Sequence, residues 1–224
     1  MRQVYSFLAL AMVMVGCAMS SGGSGRHEPT SVDAQEKPKL SYEVLLEQVK
    51  QGDPKADFLN LRMAFTETAN YNPYDVDRKT RDALSESLEN KEYAKAIELA
   101  EKGLKTRYVD LRTHFVSYRA YTEQGKADQA KFHRYVFDGL IQSILKSGDG
   151  KTPATAYVVI SIIEEYWVLG VLGIRPTQQA VFDENGQKFD RIDGVDQKSK
   201  ERVTLYFNVT KPSRWLTERL KQGK

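Results

Sequence analysis

The stretch from Ala154 to Ile174 constrains the fold most, because it is the most apolar segment outside the amino-terminal apolar run. It carries two adjacent carboxylates, Glu164 and Glu165, near its middle. An acidic side chain at the centre of a bilayer costs about 3 kcal/mol, so the stretch is a poor membrane span. We therefore predict that it forms a central buried helix on which the rest of the domain packs.

Helical patterning dominates the residues before this stretch. Apolar residues at helical spacing predict three helices, over 40–49, 55–68 and 75–88. Asn90–Ala96 then aligns with Gln124–Ala130 at a separation of 34 residues, 130 minus 96. This period resembles that of the tetratricopeptide repeat, whose paired helices touch at small residues. Two copies favour a short repeat-like helical bundle over a long superhelix.

After Gly173 the pattern changes to the alternation of β-strands. Strands are predicted over Gln178–Phe182, through Phe189 and Ile192, and over Arg202–Thr210. Asn185-Gly186 between the first two strands indicates a hairpin, because both central residues of a type I′ turn need positive φ. Pro212 then opens an amphipathic helix whose apolar side carries Trp215, Leu216 and Leu220.

These elements together predict the fold class. We expect a mainly α domain of tetratricopeptide-like helical hairpins, followed by a small carboxy-terminal antiparallel β-meander, at about 176–210, and a terminal helix. This single domain is predicted to span 38–224.

The charge distribution excludes one class of function. The net charge is +3, and beyond the first 17 residues 32 basic side chains face 30 acidic ones, interleaved along the chain. A nucleic-acid binder normally concentrates its basic residues on one face. We therefore predict no nucleic-acid partner.

The amino terminus has the organisation of a secretory signal. Arg2 precedes an apolar run from Val4 to Val15, and Cys17 is the single cysteine of the chain, so no internal disulfide can form. Met14-Val15-Gly16-Cys17 resembles a bacterial lipobox. The alternative is an ordinary cleaved signal with a chance cysteine.

The lipobox resemblance implies cleavage before Cys17, a diacylglyceryl group on its thiol and acylation of its new amino group. Residues 1–16 would be the signal peptide, and 17–37, rich in Ser, Gly and charge, a flexible tether. Several acyl chains make a durable membrane anchor. Ala18 and Met19 lack the Asp of inner-membrane retention, which by the same resemblance favours the outer membrane.

The domain itself resembles a bacterial family of secreted proteins and lipoproteins catalogued as a domain of unknown function. The resemblance is carried by Asp57–Arg62 with Tyr71-Asn72-Pro73, by Ile163–Trp167, and by Phe182-Asp183 and Leu205–Val209. It implies an envelope location and a helical fold with a β appendage, and no particular chemistry.

Glu164 and Glu165 are the nearest approach to a catalytic pair, since paired carboxylates can act as acid and base when their pKa values differ. Adjacent helical residues point about 100° apart, so the two share a site only if a groove runs beside the helix. The alternative is that they pair with a cation such as Arg62 or Arg112.

No other constellation of catalytic or metal-binding residues is present. His27 lies in the tether, and His114 and His133 fall on different predicted helices without a HExxH cluster. There is no GxSxG, P-loop or dinucleotide motif. We therefore predict no metal and no cofactor, and an enzyme is disfavoured.

Two functional hypotheses follow. The first is a non-catalytic module that binds or scaffolds another envelope protein, for which an exposed aromatic patch would provide the contact. The candidate aromatics are Tyr118, Tyr121, Tyr135, Tyr166 and Trp167. The second is a small-ligand or hydrolase-like site at Glu164 or Glu165, assisted by a helix-borne Arg or by a histidine such as His114.

Overall fold

A computed structural model describes residues 40–74 and 78–223 of the chain. These residues belong to one compact unit that begins at Leu40. The predicted signal peptide over 1–16, the lipidated Cys17 and the tether over 17–37 lie outside the described residues.

Eight α-helices and four strands make up the described part of the chain. In chain order they are α1 (Tyr42–Lys50), α2 (Phe58–Phe65), α3 (Arg78–Glu89), α4 (Tyr93–Leu104), α5 (Leu111–Glu123), α6 (Ala127–Leu145), β1 (Tyr157–Val158), α7 (Ile162–Leu172), β2 (Ile174–Glu184), β3 (Gln187–Asp196), β4 (Arg202–Asn208) and α8 (Thr210–Gln222). A short 3₁₀ turn, Pro153–Thr155, precedes β1.

Side-chain caps set the start of several helices. Ser41 accepts a hydrogen bond from the amide of Val44, and Asp57 accepts one from Asn60. Asp110 accepts one from Thr113. Each cap satisfies an amide that has no partner inside its helix, which fixes the position where the helix begins.

The four strands form one mixed sheet in the order β1-β4-β3-β2. The β2-β3 and β3-β4 pairs are antiparallel, and β1 pairs with β4 in parallel through Tyr157 with Phe207 and Val158 with Asn208. Asn185 and Gly186 join β2 to β3 with φ of 51° and 73°. The predicted type I′ hairpin is therefore confirmed by positive φ at both central positions.

The predicted fold class is wrong, because the sheet is not a separate antiparallel meander after the helices. β1 precedes α7 and joins the sheet in parallel, so strands and helices are interleaved in a mixed α/β fold. The reason is local: residues 154–161, predicted as the start of a long helix, form the 3₁₀ turn, β1 and the N-cap of α7. Three consecutive β-branched residues, Val158 to Ile160, favour extended backbone there.

The core consists of two clusters. The larger one joins α1, α2, α6 and α7 to the sheet, with Leu61, Leu140 and Phe207 fully buried. The smaller one lies among α3 to α6, where Ala96, Ala100, Ala120 and Ala130 are buried and allow the helices close approach. The small residues at the aligned positions of the two similar segments, Ala96 and Ala130, thus belong to one cluster.

Candidate functional site

Glu164 forms a buried ion pair with Arg62. In the first turn of α7, its carboxylate accepts two hydrogen bonds from the guanidinium of Arg62 on α2, with Nη2–Oε2 at 2.6 Å and Nε–Oε1 at 3.0 Å. Arg62 is fully buried and Glu164 is 4% exposed. Such a two-pronged geometry is the strongest that this pair of groups can adopt.

The remaining polar atoms of this pair are also used. Arg62 donates to Ser143 Oγ at 3.2 Å and to the carbonyl of Val158 at 3.1 Å, and Glu164 accepts the amide of Ile160 at 2.8 Å. The ion pair thus ties α2 and α6 to β1 and α7. All of these hydrogen bonds are made to groups of the protein itself. A buried ion pair needs such bonds to offset the loss of its hydration.

A small cleft borders the ion pair at the start of α7. The cleft is lined in part by Tyr71, Arg107, Ser161, Ile163 and Glu164. The hydroxyl of Tyr71 donates to the carbonyl of Ile160 at 2.8 Å, and burial raises the pKa of this phenol. Arg107 donates to the carbonyl of Asn72 at 2.5 Å. Tyr71 and Arg107 are therefore hydrogen-bonded within the protein.

Glu165 points to the sheet instead, against Asp190 of β3. Glu165 is fully buried and Asp190 is 1% exposed. Gln179 of β2 donates to one oxygen of Asp190, and the other Asp190 oxygen and both Glu165 oxygens have no donor among the described residues. Two carboxyl groups placed together without a cation require a proton between them.

Protonation of Glu165 resolves this conflict. Burial, followed by the charge of Asp190, raises the pKa of Glu165 to about 9, and burial also raises the pKa of Asp190. At neutral pH Glu165 is therefore a neutral acid, which keeps its proton and donates a hydrogen bond to Asp190. Tyr166 extends the chain of hydrogen bonds outward by donating to Gln179 Oε1 at 3.1 Å.

The other charged and histidine candidates lie elsewhere. Arg112 donates to Ser85 Oγ at 3.3 Å. His114 is buried, with its Nε2 2.7 Å from the carbonyl of Tyr108 and its Nδ1 3.0 Å from Nδ1 of His133. Burial lowers the pKa of His114 to about 3 and that of His133 to about 4, so both rings are neutral. Of these candidates, only Arg62 contacts either of the two carboxylates.

No group of three or more possible metal-ligating side chains occurs within residues 40–74 and 78–223. No helix in these same residues is long and apolar enough to cross a membrane.

The aromatic candidates do not form a patch. Tyr121 is buried and stacks on His133, and Tyr135 donates to the carbonyl of Asp53. Tyr118 is half-buried beneath the guanidinium of Arg134. Trp167 is half-buried, with ring centroids 5.3 Å from Phe115 and 5.4 Å from Phe137. Tyr166 alone of the five is exposed, at 44%.

An apolar surface nevertheless surrounds Tyr166. Five uncharged residues of α7 spread over about 140° of the helix surface, at about 100° per residue, and we call them the α7 outer face, namely Ile163, Tyr166, Trp167, Gly170 and Val171. None is charged, and Val171 is 47% exposed. Val181 of β2 is 58% exposed and lies on the same side of the sheet as Gln179, whose side chain Tyr166 contacts. Exposed apolar patches of this kind mark interaction sites.

Sequence reasoning missed Asp190 and Gln179, and of the α7 outer face it identified only Tyr166 and Trp167. The alternation of β3 places Asp190 on the same side as buried Ile192, which is a detectable sign of a buried carboxylate. No feature of the sequence pairs it with Glu165, because that contact depends on how the sheet packs on α7.

A family model described as domain of unknown function DUF4919 matches residues 32–218. No curated protein and no solved structure matches the chain.

Proposed function

Because the chain belongs to the DUF4919 family, whose model covers most of its length, we propose from its own residues that it is a lipid-anchored envelope protein with a non-catalytic, protein-binding domain. The observation that carries the binding role is the α7 outer face. It joins five uncharged residues on one side of a helix, with Tyr166 and Val171 each more than two-fifths exposed.

The absence of charge on this face indicates the chemistry of the partner. An uncharged apolar surface gains free energy when another apolar surface removes it from water, at about 25 cal/mol per Å². A charged partner surface would lose its own hydration there without gaining an ion pair. The partner is therefore a second envelope protein that presents an apolar, uncharged segment to α7.

The anchor is proposed from Met14-Val15-Gly16-Cys17. A diacylglyceryl group on the Cys17 thiol and an acyl chain on its amino group would hold the domain at the outer membrane, because each buried methylene adds about 0.8 kcal/mol of membrane affinity. Changing Cys17→Ser tests this. We expect loss of labelling by a clickable palmitate analogue and release from the membrane fraction; retention of both in the variant contradicts the anchor.

A small-ligand or hydrolase-like site is the second candidate, favoured by the cleft that Glu164 borders and by the raised pKa of Glu165. The observed contacts support this candidate less than they support the protein-binding role. The hydrogen-bonding capacity of Glu164 is taken up by Arg62 and Ile160, and Glu165 is sealed from solvent. If Glu164→Gln and Glu165→Gln both leave ligand binding unchanged, this candidate is eliminated.

The test of the binding role is crosslinking in the native envelope, purification through a carboxy-terminal tag, and identification of the proteins that co-purify. Val171→Asp places a charge on the α7 outer face, at its most exposed residue. Val44→Asp is a matched control, because Val44 lies on α1 and is 46% exposed, against 47% for Val171. We expect Val171→Asp to lose one or two reproducible partners that wild type and Val44→Asp retain.

Two results contradict this role. One is a partner set unchanged by Val171→Asp while the variant stays folded, which would place the binding surface elsewhere. The other is a wild-type protein that captures no reproducible partner, which would shift support to the second candidate.

A further inference from the structure

The last two turns of α8 are exposed to solvent. Its first turn is docked, with Pro212 buried and Lys211 donating to Thr66 Oγ1 at 3.0 Å and to Glu67 at 3.3 Å. Every residue from 216 to 223 is exposed. Leu216 is 40% exposed and Leu220 is 65% exposed, so the predicted apolar side of this helix is only partly covered by the described residues.

The exposed part of α8 is amphipathic. Leu216 and Leu220 are four residues apart and share one side of the helix. At about 100° per residue, Arg219 lies beside the two leucines on one flank, Thr217 and then Lys221 follow on the other, and Glu218 lies on the opposite side. A narrow leucine stripe thus has one cation beside it and a second one further round the helix.

The charge of α8 is predominantly positive. Lys211, Arg214, Arg219 and Lys221 face a single acidic residue, Glu218. Within the described residues neither Arg214 nor Lys221 pairs with a carboxylate, and Arg219 stacks on Trp215 at 5.2 Å. Arg214, Arg219 and Lys221 are therefore available to bind an anionic surface.

We propose that α8 lies flat on an anionic lipid surface, with Leu216 and Leu220 entering the acyl boundary and Arg214, Arg219 and Lys221 at the lipid phosphates. Helices that bind membrane interfaces combine a small apolar side carrying Leu or Trp with a basic polar side and low overall hydrophobicity. Basic residues near an anionic leaflet are attracted by its negative surface potential. The uncharged α7 outer face lacks this second component, which distinguishes a lipid-binding surface from a protein-binding one.

This inference requires neither a lipid on Cys17 nor a partner on α7. It concerns contact of the folded domain with the membrane, whatever holds the chain there. The experiment therefore compares two membranes that differ only in headgroup charge.

The full chain is reconstituted into vesicles of phosphatidylcholine, alone or with about one-third phosphatidylglycerol. Hydrogen exchange is followed at the amides of 216–223, with those of 79–89 in the charge-balanced helix α3 as the internal reference. We expect about tenfold slower exchange of the α8 amides in the anionic vesicles, and loss of the slowing in about 0.5 M salt.

Variants separate the two components of binding. Arg214→Glu with Lys221→Glu, and separately Leu220→Ser, should each abolish the slowing, whereas Lys131→Glu on the exposed side of α6 should not. Circular dichroism checks that each variant remains folded. Equal exchange in both vesicle types overturns the proposal. Slowing that needs no vesicles but rises with protein concentration also overturns it, because a second copy would then cover the helix.

Discussion

Two adjacent residues of α7, which point about 100° apart, meet the same physical problem. Glu164 faces α2 and is neutralised by the cation of Arg62, whereas Glu165 faces β3 and is neutralised by a proton that it shares with Asp190. Both are buried carboxyl groups in one helical turn. The neighbouring residue decides whether the carboxyl group is neutralised by a cation or by a proton. Only neutralisation by a proton makes stability depend on pH near neutrality.

Breaking the ion pair on the α2 side should have the largest effect. Arg62→Met leaves Glu164 buried without its cation, which should lower the free energy of unfolding by about 3–5 kcal/mol. The double variant Arg62→Met with Glu164→Leu should recover most of this loss, because no charge is then left unpaired. Urea unfolding at pH 7 measures both. A double variant as unstable as the single one would show that packing, not charge, sets the cost.

The pH dependence on the sheet side should be the next largest effect. Between pH 4.5 and 9 the folded chain keeps a proton on Glu165 that the unfolded chain has released, so stability falls as pH rises through this window. The slope is at most about 1.4 kcal/mol per pH unit.

Glu165→Gln should remove this slope and make the protein more stable than wild type at pH 8, with little difference at pH 4.5. Thermal melts across the range test it. Glu164→Gln is the matched control one residue away, and it should keep the slope because Glu165 still titrates. Parallel curves for wild type and Glu165→Gln would contradict the shared proton.

Asp190→Asn should act in the same direction to a smaller extent. It removes the charge that helps to raise the pKa of Glu165, and its amide can donate to the Glu165 carboxylate. We expect a gain of about 1 kcal/mol at pH 8, comparable to one buried hydrogen bond. A loss of stability at that pH would mean that Asp190 holds the sheet through Gln179 rather than destabilising Glu165.

Tyr166→Phe should have the smallest effect. It removes an exposed hydrogen bond to Gln179 and leaves both carboxyl groups in place, so we expect a loss below about 1 kcal/mol and an unchanged pH slope. Urea unfolding at two pH values checks this. A changed slope would place Tyr166 within the titrating network.

These two carboxylates also mark how far the sequence predicts the fold and the site. Local signals such as Ser41 at a helix start and Asn185-Gly186 in a hairpin were sufficient, because each depends on neighbours a few residues away. Arg62 was among the cations suggested for Glu164. The sequence does not indicate Asp190 as the neighbour of Glu165, because the two side chains meet only when the sheet packs on α7.

The apolar segment over Ala154–Ile174 shows the same limit. It was predicted as one buried helix, but β1 takes its first part and α7 buries only one side. Apolar residues indicate that a surface avoids water and do not indicate what covers it. For this reason β1 and the exposure of the α7 outer face could not be predicted from the pattern.

The position of β4 has a consequence for how the chain folds as it is synthesised. β4 is the last of the four strands in the described residues, yet it lies between β1 and β3 in the sheet. A nascent chain that ends before Arg202 has the β2-β3 hairpin with an open edge and no partner for β1. Unpaired edges of this kind favour association between chains. The sheet is thus completed only once β4 has been synthesised, and a chain truncated before Arg202 should aggregate rather than fold.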